Sequence, residues 1–137
     1  MTSQILQPFF VYVEDDELSR MVMVMMFEKA MNTKNYVIYK DSVDFIKNLH
    51  ALPLVPDVIL LDVHVRPYDG FEMLGMLRAQ TSLHNCCVVA LTASVMNEEI
   101  EQLRLAGFNG AIGKPISATT FPGFIERLLK GNAVWQV

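Results

Sequence analysis

Apolar residues in this chain fall into short runs separated by stretches of helical period. Val58, Ile59, Leu60 and Leu61 contain no polar alternation, the pattern of a strand buried on both faces. Strands are predicted at 9–13 (FFVYV), 36–40 (YVIYK), 57–61, 86–91 (CCVVAL) and 110–113 (GAIG). After the first strand, DELSRMVMVMMFEKAMN sets Leu18, Met21, Val22, Met25 and Lys29 on one helical face, and the 21/22/25 stripe is expected to be core. Met23, Val24 and Phe27 widen that apolar surface. A second helix is expected from Ser42, with Val43, Ile46 and Leu49 inward. Asp69 followed by Glu72 has the spacing of a capping box. A helix from about Val95 to Ala106 should stop at Gly107. The last helix has the cleanest period, with Phe121, Phe124, Ile125, Leu128 and Leu129 on one face; Pro122 fits only its first turn, which favours a start near Thr120 over one at Ser117. Strand and helix thus alternate five times. The chain reads as an α/β protein, (βα)5, with a mostly parallel sheet covered on both faces.

Composition narrows the class. With 137 residues and 52% apolar content, one domain with a single core is expected. The longest apolar run, Met21 to Phe27, is far too short to span a membrane. The N-terminus lacks the basic start and long apolar stretch of a signal peptide. The adjacent Cys86 and Cys87 read as buried thiols, and a cytoplasmic protein is expected. A net charge of −4 with scattered Lys and Arg offers no stripe for nucleic acid. Trp135, in GNAVWQV, is expected to belong to a tail packed loosely on the domain.

Polar residues fall where such folds bind ligands, at the C-terminal ends of the strands. The first strand runs into Glu14, Asp15 and Asp16, the third into Asp62, the fourth into Thr92 and the fifth into Lys114. Singly, each has an ordinary structural explanation. Asp62 can terminate a turn, Glu14 and Asp15 can complement a helix dipole, Thr92 can cap a helix, and Lys114 can be solvated. Their convergence on one edge is more specific. Carboxylates crowded together repel unless a divalent cation lies between them, and hard oxygen ligands suit magnesium. A metal, a hydroxyl and an ammonium around a carboxylate nucleophile are what phosphoryl transfer to Asp62 requires.

VYVEDDE, LLDVHVRPYDG, LTAS and GKP, spread over about residues 9–130, resemble the receiver domain of two-component response regulators. The resemblance implies a doubly wound, flavodoxin-like five-stranded sheet of order 2-1-3-4-5. It implies a receiver spanning residues 1–137 with short tails outside a 9–130 core. It assigns Asp62 as phosphoacceptor, Asp15 as a direct Mg2+ ligand, Glu14 as an acid reaching the metal through water, and His64 as a backbone-carbonyl ligand. It further assigns Thr92 as the switch hydroxyl and Lys114 as the cation that contacts the phosphoryl group, aimed inward by a cis bond to Pro115. Two departures stand out. Ala111 replaces the aromatic that usually lies three residues before the lysine, with Phe108 nearby as a possible substitute, and Pro67 comes one residue later than is common.

The implied protein is a stand-alone regulator without an enzymatic output. It would be phosphorylated by a histidine kinase or phosphotransfer protein, and would act on a downstream protein as a monomer or phosphorylation-dependent dimer. The methionine-rich first helix would form part of the surface that docks the donor. A phosphorylation-independent docking module is the alternative, favoured by Ala111 and disfavoured by the intact set of Glu14, Asp15, Asp62, Thr92 and Lys114. A haloacid dehalogenase type phosphatase would need an acid where His64 stands. A flavodoxin-like cofactor binder is disfavoured because EDDELSR would repel phosphate.

Overall fold

Five parallel pairings build the sheet, because every strand is returned to the same edge by a helical or looped crossover. The computed structural model describes residues 7–94 and 96–136. The elements are β1 (Phe10–Val13), α1 (Glu17–Met25) continuing into a π-helical turn (Met26–Ala30), β2 (Tyr36–Tyr39), α2 (Phe45–His50), β3 (Val58–Asp62), α3 (Gly70–Arg78), β4 (Cys87–Thr92), α4 (Asn97–Ala106), β5 (Gly110–Gly113), α5 (Phe121–Leu129) and β6 (Val134–Gln136). The strand order is β2-β1-β3-β4-β5-β6.

The sheet is buried on both sides, which explains the unbroken apolar runs. Val11, Val13, Ile59, Leu61, Val88 and Ala90 face one core with Phe45, Leu49, Met73, Leu77, Ile100 and Leu103. Their alternating neighbours Phe10, Tyr12, Val58, Leu60, Val89 and Leu91 face the other, packed on Met23, Phe27, Phe121, Phe124 and Ile125. β3 and β4 each begin and end one residue later than the sequence pattern indicates, so Asp62 and Thr92 are the last residues of their strands. The capping box at Asp69 and Glu72 and the left-handed cap at Gly107 (φ 108°) are present as expected. The expected start of α4 at Val95 lies outside the described residues. α5 begins at Phe121 with Pro122 in its first turn, so the start near Thr120 holds; Leu129 is exposed.

Three expectations are corrected. The core face of α1 is not the 21/22/25 stripe: Met21 and Met25 are 59% and 61% exposed, and Leu18 is also exposed, while Met23, Met26 and Phe27 are buried. The run Met21 to Phe27 is apolar all round, so period alone cannot choose a face. Phe27 decides it by stacking on Phe10 and Tyr36 at centroid distances of 5.1 and 4.7 Å. α2 starts three residues after Ser42 and buries Phe45 and Leu49, leaving Val43 exposed. Ser42 is instead committed to the loop after β3: its N–H donates to Arg66 O (3.1 Å), and its Oγ donates to Tyr68 O (2.8 Å) while accepting the Tyr68 N–H (2.7 Å).

The third correction adds a strand. The tail expected to pack loosely pairs in parallel with β5, Ala111 opposite Trp135, and makes the sheet six-stranded. Gly110 admits it, since a Cβ there would lie 2.4 Å from the Val134 carbonyl oxygen.

Candidate functional site

The strand register alone gathers the polar set. Glu14 follows β1 and is fixed by its N–H to Tyr39 O (3.0 Å), while the guanidinium of Arg20 donates to its carbonyl (3.0 Å). Asp62 ends β3 in register with Leu91, and Thr92 ends β4 in register with Gly113, immediately before Lys114. The Lys114 N–H donates to Thr92 O (2.9 Å), and the Lys114–Pro115 bond is cis, as is Arg66–Pro67. Carboxylate oxygens of Glu14, Asp15 and Asp62 all lie within 4.8 Å of one another, with Glu14 and Asp62 buried and Asp15 exposed. The Lys114 ammonium reaches over this group, 2.7 Å from Glu14 Oε1 and 3.5 Å from Asp62 Oδ1.

The remaining predicted residues differ in how far they join the cluster. Thr92 is buried at the edge, its Oγ1 accepting the Ser94 N–H (3.0 Å) and donating to Ser94 O (3.1 Å). His64 contributes backbone, its N–H donating to Asp62 Oδ1 (3.4 Å), and is itself exposed. Asp16 lies outside the cluster as the cap of α1, accepting from the Ser19 N–H (2.8 Å) and hydroxyl (2.7 Å). Ala111 is fully buried, and its neighbour Trp135 packs on the same core beneath the Arg104 guanidinium, 4.7 Å from the ring centroid. Phe108 does not enter the site; it is buried edge-on against Phe71. Both cysteines are free thiols; Cys86 is buried and Cys87 half-buried.

Sequence reasoning missed Tyr12. Its hydroxyl donates to Glu14 Oε1 at 2.8 Å from a fully buried ring. The available signal was a tyrosine inside an otherwise aliphatic central strand, since a buried phenol requires a partner. Ser42 reads as a helix start in the sequence because its actual partners, Arg66 and Tyr68, lie more than twenty residues away.

Charge crowding shows in the acidity of the cluster. Burial pushes Asp62 up to about 6, helped by its hydrogen bond with Glu14 and the Glu14 charge, against the opposing pull of Lys114. Burial also acts to raise Glu14, but hydrogen bonds with Asp62, Lys114 and Tyr12 outweigh it and hold Glu14 below its usual range. Burial acts to lower Lys114, yet its contacts with Glu14 and Asp62 carry it above the ordinary lysine value. The signs follow. Asp62 holds its proton more tightly folded than unfolded, so on its account the metal-free fold loses stability as pH rises from about 4 to about 6. Glu14 acts oppositely, stabilising above its ordinary value and losing that contribution as pH falls through its depressed one. The contribution of Lys114 is complete below its ordinary value and is lost only as alkaline pH passes its raised one. A cation on the cluster must displace the Asp62 proton. Magnesium affinity measured by calorimetry is therefore expected to fall as pH drops below about 6.

A hollow of about 330 Å³ opens beside the ammonium, lined by Tyr12, Leu18, Ser19, Val22, Lys114, Pro115 and Ile116. A larger one, about 950 Å³, has Pro8, Asn35, Leu54 and Leu129 in its lining and includes none of the clustered residues.

Comparison with known proteins decides the family. A model of the response regulator receiver domain matches residues 10–125. The chain belongs to the response regulator receiver family. The receiver is 31% identical over 120 residues to the polar-differentiation response regulator DivK of Brucella ovis, covering 85% of this chain and 89% of that one. Its fold matches the chemotaxis response regulator CheY4 of Vibrio cholerae with a TM-score of 0.79 at 20% identity, covering 90% of this receiver and 99% of CheY4. It also matches the receiver domain of the sensor histidine kinase PA1611 of Pseudomonas aeruginosa PAO1, with a TM-score of 0.77 at 21% identity and coverage of 91% and 99%. The PA1611 structure carries a magnesium ion coordinated in its active-site cleft. Among the described residues of this receiver, no helix is long and apolar enough to cross a membrane.

Proposed function

We propose that this receiver accepts a phosphoryl group on Asp62 in a magnesium-dependent reaction and signals through altered protein binding. One observation carries the reading: three carboxylates meet within 4.8 Å on one sheet edge, under an ammonium that contacts two of them. Such a cluster suits an oxygen-seeking divalent cation. Glu14, Asp15, Asp62 and the His64 carbonyl would hold Mg2+, which would neutralise charge on the transferring group. Asp62 supplies the attacking oxygen. As its bond to phosphorus forms, the bond from phosphorus to the donor's imidazole nitrogen breaks, and the proton demand of the leaving nitrogen is met on the donor. Lys114 is placed to pair with a phosphoryl oxygen. Thr92 can turn its hydroxyl from Ser94 O toward another.

The donor is a phosphohistidine on a kinase or phosphotransfer protein, which places the reaction in the cytoplasm. Leu18, Met21 and Met25 lie exposed on α1, with Leu18 in the lining of the hollow that borders Lys114, and offer a pliable apolar surface for that donor. The modified receiver would then bind a downstream protein. The test is intact mass after incubation with magnesium and acetyl phosphate. One phosphoryl adduct, lost when the metal is chelated, is expected; no adduct even with candidate kinases would turn the reading to a phosphorylation-independent docking module.

A further inference from the structure

Tyr12 stands in the acidic cluster without being one of its acids. The residues of β1 alternate between the two cores, so Tyr12 and the residue two places on, Glu14, lie on the same side of the sheet. The ring is wedged among buried apolar side chains, and its hydroxyl ends on Glu14 Oε1. That same oxygen is the one to which Lys114 donates at 2.7 Å. Glu14 is 1% exposed, so water cannot readily replace a donor that leaves. Lys114 is the donor free to leave: its side chain keeps 23% exposure, and Asp62 already lies 3.5 Å from its ammonium.

We propose that Tyr12 is a positioning residue that holds the Glu14 carboxylate in place while Lys114 transfers from Glu14 to the phosphoryl group on Asp62. Without the phenol, Glu14 Oε1 depends on Lys114 alone. Whenever the ammonium is drawn toward Asp62, the carboxylate would then be left with the long Asp16 N–H contact on its other oxygen (3.3 Å), free to swing about it, and two functions of the pocket would compete for one cation. With it, Glu14 keeps a neutral, immobile donor, and the metal-facing acid and the phosphate-facing lysine can act independently. The inference rests on the reading of Asp62 as a magnesium-dependent phosphoacceptor.

Tyr12→Phe removes one oxygen and preserves the ring, so packing in the α1–α5 core should be retained. Magnesium is titrated calorimetrically into wild type, Y12F, E14Q and the double variant, with metal-free melting curves alongside. Y12F is expected to bind magnesium about ten-fold more weakly than wild type, the lower end of the roughly ten- to hundred-fold that partners orienting a metal-site ligand typically contribute. In the E14Q background the same substitution should change affinity by less than about two-fold, the sign that Tyr12 acts through Glu14. The rate constant of acetyl phosphate labelling at saturating magnesium should also fall in Y12F. Equal magnesium affinity in Y12F and wild type would overturn the assignment, as would a loss of equal size in the E14Q background. Wild type that takes up no magnesium would instead defeat the phosphoacceptor reading, and the inference with it.

Discussion

Asp62→Asn is expected to abolish the phosphoryl adduct completely and, in the same sample, to raise the melting temperature of the metal-free protein at pH 7. The first effect follows, on the proposed function, from removing the carboxylate that would attack the phosphoryl group. The second follows from what the fold tolerates to keep it. Asp62 is 7% exposed, faces Glu14, and holds its proton up to about pH 6. At neutral pH it is therefore an ionised group in a place that disfavours ionisation. An amide removes that penalty, with an expected gain of roughly 2 kcal/mol against the acid. Denaturant melts of both proteins with magnesium chelated would measure it. Added magnesium should narrow the gap, because the ion would offset the buried Asp62 charge in the wild type, whereas the variant would hold it with Glu14 and Asp15 alone and more weakly. A mutant with no adduct and lower metal-free stability would mean that Asp62 serves the structure as an ion-pair partner of Lys114.

Lys114→Met should move stability and metal affinity in opposite directions. Glu14 Oε1 loses its 2.7 Å partner, and Asp62 loses the cation 3.5 Å away. Removing one partner of a buried pair typically destabilises by about 3–5 kcal/mol; Lys114 is partly exposed, so about 2–3 kcal/mol is expected for the metal-free protein. The three acids are then left without a neutralising charge, and a divalent cation should bind more tightly than in wild type. Calorimetric titration beside metal-free unfolding would show both. Tighter magnesium binding in K114M and weaker binding in Y12F would separate a group that competes with the ion from one that supports its ligand. Weaker binding in K114M would place the ammonium among the groups that organise the metal site.

Much of this site was legible because parallel strands all end on one edge. A polar residue that terminates an apolar run must then lie near the others, and Glu14, Asp62, Thr92 and Lys114 could be grouped without knowing any distance. Family motifs added roles that spacing alone does not supply. Legibility failed where the deciding partner was remote or where period was ambiguous. Met21 to Phe27 would suit either helical face, and the rings of Phe10, Tyr36 and Phe121, from three other elements, select the one that buries Phe27. Ser42 looked like a helix start because its local signal is a cap, yet its hydrogen bonds run to Arg66 and Tyr68. Three residues around Trp135 are too short a run to announce a strand, and Gly110 declares its purpose only when Val134 is seen against it.

The sixth strand also gives the molecule an intrinsic optical label. Trp135 is the chain's single tryptophan. It lies half-buried at the sheet edge beneath the Arg104 guanidinium, on the strand that pairs with the one leading into Lys114. Excitation near the red edge of the protein absorption band therefore selects this one location, with Phe and Tyr silent. Changes in α4 that shift Arg104, or in β5 that carry β6 with them, would register as emission changes in the unmodified protein, with no dye attached and no residue replaced.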